Sequence, residues 1–247
     1  MPLTQRKLRA RRPGKLQPLA QSCMPTKLEE LKWADDELVQ KRLAENGFSN
    51  DEALKDITRS DRTAHVYEGG FKIWECCYDL CKLIEAESSD IQGKRILELG
   101  CGAGLPGILC ALRGAAHVTF HDFNECVVQC FTKENLRLNS VGESQYRLLS
   151  GPWNDFQSCF EPRGYDIIIT SETIYNIEDY EALHNAFDYA LPPAGVIWVA
   201  AKIFYFGVGG NVPAFMEYVG KRSVFKATIK ETIQADVQRA IVELRRL

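Results

Sequence analysis

Apolar and polar positions along the chain follow two different periods, and the way these periods alternate predicts a fold. Short continuous apolar runs are typical of buried strands, whereas apolar residues three and four positions apart are typical of one helix face. From residue 95 onwards such runs and faces alternate, which predicts an α/β fold with a doubly wound, mostly parallel sheet. The predicted strands cover residues 96–99, 117–121, 146–149, 165–171 and 196–203, and the predicted helices between them cover residues 105–113, 124–138 and 180–191.

The C-terminal part of the chain allows two interpretations. Residues 212–219 predict a helix, and β-rich runs at residues 223–229 and 240–244 then favour a closing hairpin. Such a hairpin would give a seven-stranded sheet its antiparallel edge. Residues 236–247 also fit an amphipathic helix, so both interpretations remain open.

The N-terminal part predicts an extension in front of the sheet. The first residues lack periodicity and contain several prolines, which favours a disordered basic tail. Thr26 and Glu29 form a capping-box pair followed by leucines at helical spacing, so a helix is predicted that ends near Asn46. A second amphipathic helix is predicted directly after Gly70. The predicted organisation is a tail at residues 1–25, a helical extension at residues 26–64 and one main domain at residues 65–247.

Charge along the chain points to a basic protein partner. The first 28 residues carry seven of the 30 Lys and Arg residues and no Asp or Glu, which leaves 23 basic against 33 acidic residues in the remainder. An acidic body repels free nucleic acid and attracts cationic polypeptides. The basic start fits a nuclear address, an RNA-contacting arm or a solvated tail. No apolar run is long enough to span a bilayer and no apolar core follows the basic start, so we expect a soluble protein without a secretory signal.

The nine cysteines predict a reducing compartment rather than a disulfide framework. The chain has no C-x-x-C pair, and its four histidines show no metal-ligand spacing, so no metal site is predicted. Cys101 lies within a glycine-rich loop, but no Lys, Arg or His is its neighbour in the sequence to lower the thiol pKa. We therefore expect Cys101 to pack rather than to act as a nucleophile.

The glycine-rich loop predicts a cofactor site. Residues 95–107 read R-I-L-E-L-G-C-G-A-G-L-P-G, a strand that runs into glycines at positions 100, 102 and 104 and then into a helix. Glycines let the backbone turn tightly and approach a ligand closely. The third glycine comes one residue earlier than in the dinucleotide pattern, and Glu98 precedes the first. The pattern E-x-G-x-G-x-G resembles the first motif of seven-strand S-adenosylmethionine methyltransferases. This resemblance implies that Glu98, Gly100, Gly102 and Gly104 bind the cofactor, whose amino-acid part is cationic.

Further cofactor candidates follow the other predicted strands. Asp122 ends the second strand about twenty residues after the loop, where an acid can accept hydrogen bonds from ribose hydroxyls, although the same spacing serves NAD enzymes. Trp153 follows the third strand and Trp74 precedes the first, and either aromatic ring could contact a cofactor or pack in the core. Asn124 and Ser171, at the ends of the second and fourth strands, complete the predicted cofactor set.

Two segments predict the acceptor side of the site. Glu172 and Tyr175, in S-E-T-I-Y after the fourth strand, have the E-x-x-Y spacing found in protein-modifying methyltransferases, and we assign them catalytic roles. A carboxylate and a phenol can orient an acceptor and stabilise positive charge on it. The loop after the fifth strand is either a flexible connection or a substrate-binding loop. Its substrate-binding candidates are Lys202, Tyr205, Phe206 and Gly207.

Taken together, five segments resemble the eukaryotic protein-histidine N-methyltransferases of the methyltransferase-like family. They are Y-E-G-G-F-K-I-W-E, I-L-E-L-G-C-G-A-G-L-P-G-I, F-H-D-F-N, S-E-T-I-Y and K-I-F-Y-F-G-V-G-G, and the resemblance covers residues 65–247. It implies methyl transfer from S-adenosylmethionine to the τ nitrogen of a histidine in a large-subunit ribosomal protein, in the cytoplasm or nucleus. Nucleic acid would be met only through the ribosome or the basic tail, and no membrane is implicated.

Three other functions remain open from the sequence. A lysine methyltransferase of the same branch would share the glycine loop and E-x-x-Y, and a non-catalytic ribosome assembly factor could hold the cofactor without turnover. An NAD enzyme is disfavoured by the glycine spacing. We expect a monomer, because no sustained heptad pattern is present.

Overall fold

The computed structural model describes residues 29–51, 54, 63 and 66–247, and a seven-stranded sheet lies at its centre. The strands are β1 Arg95–Leu99, β2 His117–Asp122, β3 Tyr146–Ser150, β4 Ile167–Ser171, β5 Val196–Lys202, β6 Phe225–Ile233 and β7 Arg239–Arg246. Their spatial order is β3-β2-β1-β4-β5-β7-β6. The first five strands are parallel, whereas β7 is antiparallel to both β5 and β6.

Helices cover both faces of the sheet. Their bounds are α1 Asp36–Glu45, α2 Glu75–Ala86, α3 Ser88–Ile91, α4 Leu105–Leu112, α5 Glu125–Val127, α6 Lys133–Leu138, α7 Phe156–Cys159, α8 Tyr180–Ala190 and α9 Val212–Arg222, with a π-helical segment Val128–Thr132 that joins α5 to α6. Within the described residues, no helix combines the length and apolar character needed to cross a membrane.

The two faces of the sheet carry separate hydrophobic clusters, as the period of two in the strands requires. On one face, Ile96 and Trp198 pack with α1, α2, α4 and the π-helical segment. On the other face, Leu97 and Ile197 pack with α8 and α9. Because both faces are covered, the central strands are apolar at nearly every position, and this is why they appear in the sequence as continuous runs.

The structure confirms the predicted sheet and settles the ambiguity at the C-terminus. The predicted hairpin is present, and the alternative of a helix over residues 236–247 is wrong. Val242 and Leu244 are buried on the α8 and α9 face, and Ile241 is buried on the opposite face. Residues 239–244 of β7 pair with β5, from Ile197 opposite Leu244 to Lys202 opposite Arg239. A strand satisfies the backbone groups along the edge of β5, which a helix at this position would leave unpaired.

The front helix begins later than its sequence predicts. The predicted start at Thr26 lies outside the described residues, as does the predicted tail, and residues 29–35 are not helical. Helix α1 instead begins where the Asp35 side chain accepts a hydrogen bond from the Leu38 N–H at 2.9 Å. Its predicted end near Asn46 is confirmed, because Phe48 N–H donates to the Leu43 carbonyl at 2.9 Å and closes the helix.

His184 of α8 is a buried titratable group remote from any cleft. Its ring packs edge-on against Tyr218 and Phe225, with centroid distances of 5.9 and 5.3 Å. Neither ring nitrogen has a hydrogen-bond partner among the described residues. Burial lowers the pKa of His184 to about 4, because the imidazolium form would lose its hydration.

We predict that His184 makes the protein less stable in mild acid. The unfolded chain takes up a proton near pH 6.5, whereas the folded chain does so only near pH 4, so stability is lost as the pH falls through this window. Between pH 7.5 and pH 5, the free energy of unfolding of the wild type should fall by about 2 kcal/mol more than that of His184→Leu. Urea unfolding of both proteins at the two pH values measures this difference. Equal losses in the two proteins would contradict the assignment.

Candidate active site

A cleft opens beyond the carboxyl ends of β1, β2 and β4. Strand order reverses between β1 and β4, and in open α/β sheets this is where ligands bind. Four segments form the walls: residues 68–74 in front, the glycine loop after β1, residues 151–154 after β3 and residues 171–175 after β4.

The glycine loop is shaped by close backbone contacts. Gly100, Gly102 and Gly104 all have positive φ, and Gly102 has φ +49°. A Cβ atom on Gly102 would lie 3.0 Å from the Gly70 carbonyl oxygen, so no larger residue fits between the loop and the front segment. Gly100 and Gly102 line the cleft, as predicted for cofactor contacts, whereas Gly104 lies behind it and begins α4.

The π-helical segment and α6 support the loop from behind. The Thr132 hydroxyl donates to the Gly102 carbonyl at 2.7 Å, and the Asn135 amide donates to the Ala103 carbonyl at 2.8 Å. Both side chains are fully buried. Loop carbonyls that would otherwise be unpaired in the interior are satisfied in this way, which holds the loop in one conformation.

Glu98 is placed differently from its sequence assignment. It lies within β1 on the same face as Ile96, buried under α4, and it does not line the cleft. Its carboxylate accepts a hydrogen bond from Gly107 N–H at 2.9 Å, in the first turn of α4. Burial raises the pKa of Glu98 well above its ordinary value, which the Gly107 N–H partly opposes. In this structure Glu98 therefore supports α4, the helix that follows the loop. Its effect on a bound cofactor would be indirect, through the position of the loop.

Asp122 occupies the position predicted for a ribose-binding acid. It is buried at the end of β2, lines the cleft and accepts hydrogen bonds from Gly102 N–H at 2.8 Å and Asn124 N–H at 3.3 Å. A carboxylate has about four acceptor positions, so capacity remains for ligand hydroxyls. Burial raises the pKa of Asp122 to about 6, and its backbone hydrogen bonds only partly offset this effect.

Asn124 joins β2 to the front segment instead of facing the cleft. Its side chain donates to the Val66 carbonyl at 2.7 Å and accepts from Glu68 N–H at 3.3 Å. The front segment is also joined to the segment after β4, because the Tyr175 hydroxyl donates to the Glu68 carboxylate at 2.6 Å. Glu68 is not among the site residues predicted from the sequence. The sequence indicates a role for Glu68 only through its place in the Y-E-G-G segment, because its partner Tyr175 lies 107 residues further along the chain.

The two tryptophans and Ser171 do line the cleft. Trp74 N–H donates to the Gly69 carbonyl at 3.2 Å, which fixes the indole at the front wall. Trp153 lies near the glycine loop, 3.9 Å from where a Cβ atom of Gly100 would be. Both rings are half-buried and so present part of their apolar surface to the cleft.

A second cavity adjoins the cleft on the side of β5. The two spaces adjoin at four shared lining residues, and we call this boundary the passage: Glu68, Trp74, Glu172 and Tyr175. The remaining walls of the second cavity come from the loop after β5 and from Val237. They include three of the predicted substrate-binding residues, Lys202, Tyr205 and Phe206, together with Phe204 and Val208, which were not predicted.

Glu172 is the most constrained side chain at this passage. It is buried, its backbone has φ +58°, and its N–H donates to the Ala200 carbonyl at 2.9 Å. Its Oε1 atom is buried without a hydrogen-bond partner among the described residues, and the Lys202 ammonium is 3.7 Å away. Burial, followed by the negative charge of Glu172, raises the pKa of the Tyr205 phenol well above its ordinary value. Tyr205 therefore stays a neutral hydroxyl near the carboxylate.

The loop after β5 is held by hydrogen bonds at its base and exposed at its tip. Gly210 N–H donates to the Tyr175 carbonyl at 2.7 Å, and a Cβ atom on Gly210 would lie 2.3 Å from the Ile174 carbonyl oxygen. This close approach fastens the loop to the segment that carries Glu172. Phe206 at the tip is 91% exposed. Gly207 has φ +82° and serves the turn, but it does not line the cavity.

The described residues contain no group of three or more potential ligands that could hold a metal ion. Cys101 lines the cleft, but burial raises the pKa of its thiol well above the ordinary value. A thiol of this kind stays protonated at neutral pH and is a poor nucleophile. The chemistry of the site therefore depends on its carboxylates, aromatic rings and Lys202.

The cleft fits S-adenosylmethionine, the ligand that the glycine loop implies. Asp122 has acceptor capacity for the two ribose hydroxyls, and Trp153 offers an aromatic surface for the base. The carboxylate of Glu172 lines the same space and suits a positively charged ligand. The close approach of Gly102 to Gly70 brings the glycine loop against the front segment, so that the backbone can lie close to the ligand.

Comparisons with known proteins place the chain among methyltransferases. A family model described as lysine methyltransferase matches residues 55–206. The histidine protein methyltransferase 1 homolog of Dictyostelium discoideum is 40% identical over 161 residues, which are 65% of this chain and 52% of that protein. The Bos taurus histidine protein methyltransferase 1 homolog is 35% identical over 217 residues, covering 76% of this chain and 58% of that protein. EEF1A lysine methyltransferase 3 of Mus musculus is 29% identical over 132 residues, covering 53% of this chain and 55% of that protein. The chain thus spans a little over half the length of the curated relatives it matches.

Solved structures share the fold. A ribosomal protein L11 methylase from Lactobacillus delbrueckii subsp. bulgaricus has a TM-score of 0.52 at 15% identity, covering 69% of this chain and 79% of that chain. A putative SAM-dependent methyltransferase from Streptococcus mutans has a TM-score of 0.53 at 14% identity, covering 69% of this chain and 49% of that chain. These similarities confirm the predicted seven-strand class I methyltransferase fold.

The pKa of Asp122 predicts how cofactor binding depends on pH. Ribose hydroxyls need an ionised Asp122 as acceptor, so binding weakens as the pH falls through about 6 and the carboxyl group takes up a proton. Between pH 7.5 and pH 5, the Kd for S-adenosylhomocysteine, measured by calorimetry, should rise about tenfold for the wild type. Asp122→Asn should bind about tenfold more weakly at pH 7.5 and show almost no change with pH. A parallel pH dependence in the two proteins would exclude Asp122 as the titrating group.

Proposed function

The chain belongs to the lysine methyltransferase family, and within it we propose that this protein transfers a methyl group from S-adenosylmethionine to the τ nitrogen of a histidine in another protein. The observation that carries this proposal is the Glu172 carboxylate at the passage between the two cavities: its Oε1 atom is buried and accepts no hydrogen bond from the described residues, with the Lys202 ammonium 3.7 Å away. The Tyr205 hydroxyl and the Cys76 thiol also interact with this carboxylate. A polar group in this state is costly unless a ligand pairs with it. When bound, S-adenosylmethionine supplies an electrophilic methyl group.

A neutral imidazole matches what Glu172 offers. One ring nitrogen must donate its N–H so that the lone pair of the other nitrogen is free to attack. Glu172 Oε1 can accept that N–H, which selects the tautomer and points the opposite nitrogen towards the cofactor cleft. As the ring nitrogen bonds to the methyl carbon, the bond from that carbon to the sulfonium sulfur breaks and a neutral thioether is left. The positive charge passes to the ring, where the same carboxylate stabilises it until the remaining N–H proton is lost to solvent. The site then has only to hold the nitrogen about 3 to 3.5 Å from the methyl carbon.

A lysine acceptor gains less from this arrangement. A lysine must lose a proton before it can attack, and a carboxylate beside the ammonium favours the protonated form. The comparisons also support histidine, since the two relatives named as histidine protein methyltransferases are 40% and 35% identical to the chain. The relative named as a lysine methyltransferase is 29% identical over a shorter stretch.

The partner we propose is a basic protein of the large ribosomal subunit, met in the cytoplasm or nucleus. The support is the resemblance of the sequence motifs and the charge of the chain. Beyond residue 28 there are 33 acidic and 23 basic residues, so a cationic polypeptide is attracted to the folded part.

The identity of the methylated atom tests the proposal. The protein is incubated with labelled S-adenosylmethionine and proteins stripped from purified large ribosomal subunits, and the products are hydrolysed and separated by amino-acid analysis. We expect τ-methylhistidine. Labelled methyllysine as the main product would favour the lysine alternative. Cofactor binding without transfer would favour a non-catalytic assembly factor.

Glu172→Gln tests the role of the carboxylate. Glutamine keeps the size of the side chain and removes its charge, so we expect kcat at saturating S-adenosylmethionine to fall about 10- to 100-fold. Some label should also move to π-methylhistidine, because the amide can donate as well as accept. Glu243→Gln is a matched control, since Glu243 also lies near an indole and a lysine but on a strand outside both cavities. Full rate and unchanged nitrogen selectivity in Glu172→Gln would exclude the carboxylate.

Phe206→Ala tests whether the loop after β5 binds the protein substrate. The ring is 91% exposed at the edge of the second cavity, where it can bury apolar area against a polypeptide. We expect the KM for the stripped ribosomal proteins to rise about tenfold without a change in the Kd for S-adenosylhomocysteine. Ile229→Ala, which truncates another exposed apolar side chain on β6, should leave KM unchanged. An unaltered KM in Phe206→Ala would remove the ring from the substrate surface.

A further inference from the structure

The ammonium group of Lys202 lies among two aromatic rings and two carboxylates in the second cavity. Its Nζ atom is 5.1 Å from the ring centroid of Trp74 and 6.0 Å from that of Tyr205. Glu75 Oε2 is 3.3 Å away and Glu172 Oε1 is 3.7 Å away. The Lys202 side chain is only 18% exposed, so these four groups replace much of its hydration.

This arrangement is what a site for a substrate ammonium group requires. Aromatic faces within about 6 Å attract a cation through their quadrupoles, and carboxylates within about 4 Å attract it through their charge. We call Trp74, Tyr205, Glu75 and Glu172 the cation cage. Three of the four, Trp74, Tyr205 and Glu172, line the second cavity, and two of these also line the cofactor cleft. The cage therefore lies where an acceptor group would have to enter.

Lys202 reaches the cage from a rigid position. It is the last residue of β5, paired with Arg239 of β7, and its N–H donates to the Tyr205 hydroxyl at 3.2 Å. Arg239, the neighbouring cation on the sheet, is instead held by the buried Asp79 of α2. Lys72 also lies over Trp74, at 4.2 Å, but it lines the cofactor cleft and not the second cavity.

We propose that Lys202 is a specificity-determining residue, which fills the cation cage and thereby excludes a substrate lysine while a neutral imidazole is still admitted. This inference rests on the proposed histidine methylation. A substrate ammonium would have to share the two carboxylates with a like charge already in place, and like charges at this distance repel. An imidazole is neutral when it enters, so it meets no such repulsion on binding, and Glu172 Oε1, which accepts no hydrogen bond from Lys202 at 3.7 Å, can still accept the ring N–H. Lys202 thus excludes a substrate lysine, although the family to which the chain belongs is described as lysine methyltransferase.

The test uses Lys202→Met, which keeps the length of the side chain and removes its charge. Wild type and variant are incubated at pH 9 with saturating labelled S-adenosylmethionine and proteins stripped from large ribosomal subunits, and the ratio of methyllysine to methylhistidine is measured. We expect the ratio to rise at least tenfold in Lys202→Met. Lys202→Gln, a second uncharged variant, should behave in the same way, whereas Lys202→Arg should keep the wild-type ratio because the cation is retained.

Two further experiments distinguish binding of a substrate lysine in the cation cage from a general structural effect of the substitution. Tetramethylammonium, which cannot accept another methyl group, should suppress the new methyllysine in Lys202→Met by competing for the cage. Lys230→Met is the matched control, because Lys230 also bridges two carboxylates, Glu87 and Glu243, and lies 5.8 Å from the Trp198 ring outside both cavities. Its ratio should equal that of the wild type.

The outcomes are distinguishable from a failure of the proposed function. If the wild type forms no methylhistidine, histidine methylation itself is wrong. If the wild type forms methylhistidine and both uncharged variants keep its ratio, the role of Lys202 in specificity is overturned. A rise in methyllysine that tetramethylammonium does not suppress would also overturn it, because lysine would then enter without using the cage.

Discussion

The hydrogen bond from Gly102 N–H to the Asp122 carboxylate is the contact on which the cofactor side of the site depends. It joins the loop after β1 to the end of β2, two strands that are neighbours in the sheet. Burial makes the bond strong and at the same time raises the pKa of Asp122 towards 6. The carboxylate that shapes the loop is thus also the group that a ribose can use. Support for the loop and recognition of the ligand are combined in one side chain.

The part of the site that would bind the methyl acceptor is organised around a second buried carboxylate, Glu172. The hydrogen-bond partners of its oxygens differ from those of Asp122. Asp122 has its oxygens paired with backbone N–H groups, whereas Glu172 keeps one oxygen unpaired at the passage between the cavities. Lys202 lies near that oxygen but beyond hydrogen-bond distance, at 3.7 Å. The site therefore holds negative charge in place and leaves a hydrogen-bond position open for a donor from outside. This combination suits a neutral N–H group better than a second ammonium.

Several site residues could be predicted from the sequence because their positions follow from local rules. Asp122, Ser171 and Glu172 each lie at or just after the end of a strand that an apolar run reveals, and such ends meet at one edge of a parallel sheet. Glu98 also belongs to a local pattern, but its even spacing from Ile96 points it at the face covered by α4 rather than at the ligand. The period of two in the strand predicts this orientation. Glu68 had no such signal, because its partner Tyr175 is distant in the sequence.

The sequence by itself determined the fold class, the cofactor loop and the residues at the strand ends, because hydrophobic period and glycine spacing act over a few neighbouring positions. Tertiary structure decided how those ends were joined into a site. The insertion of β7 beside β5, the attachment of the front segment through Asn124 and Glu68, and the placement of Lys202 among Trp74, Tyr205, Glu75 and Glu172 all depend on contacts between distant parts of the chain. No local pattern encodes such contacts, since each becomes possible only after the sheet has brought its partners together.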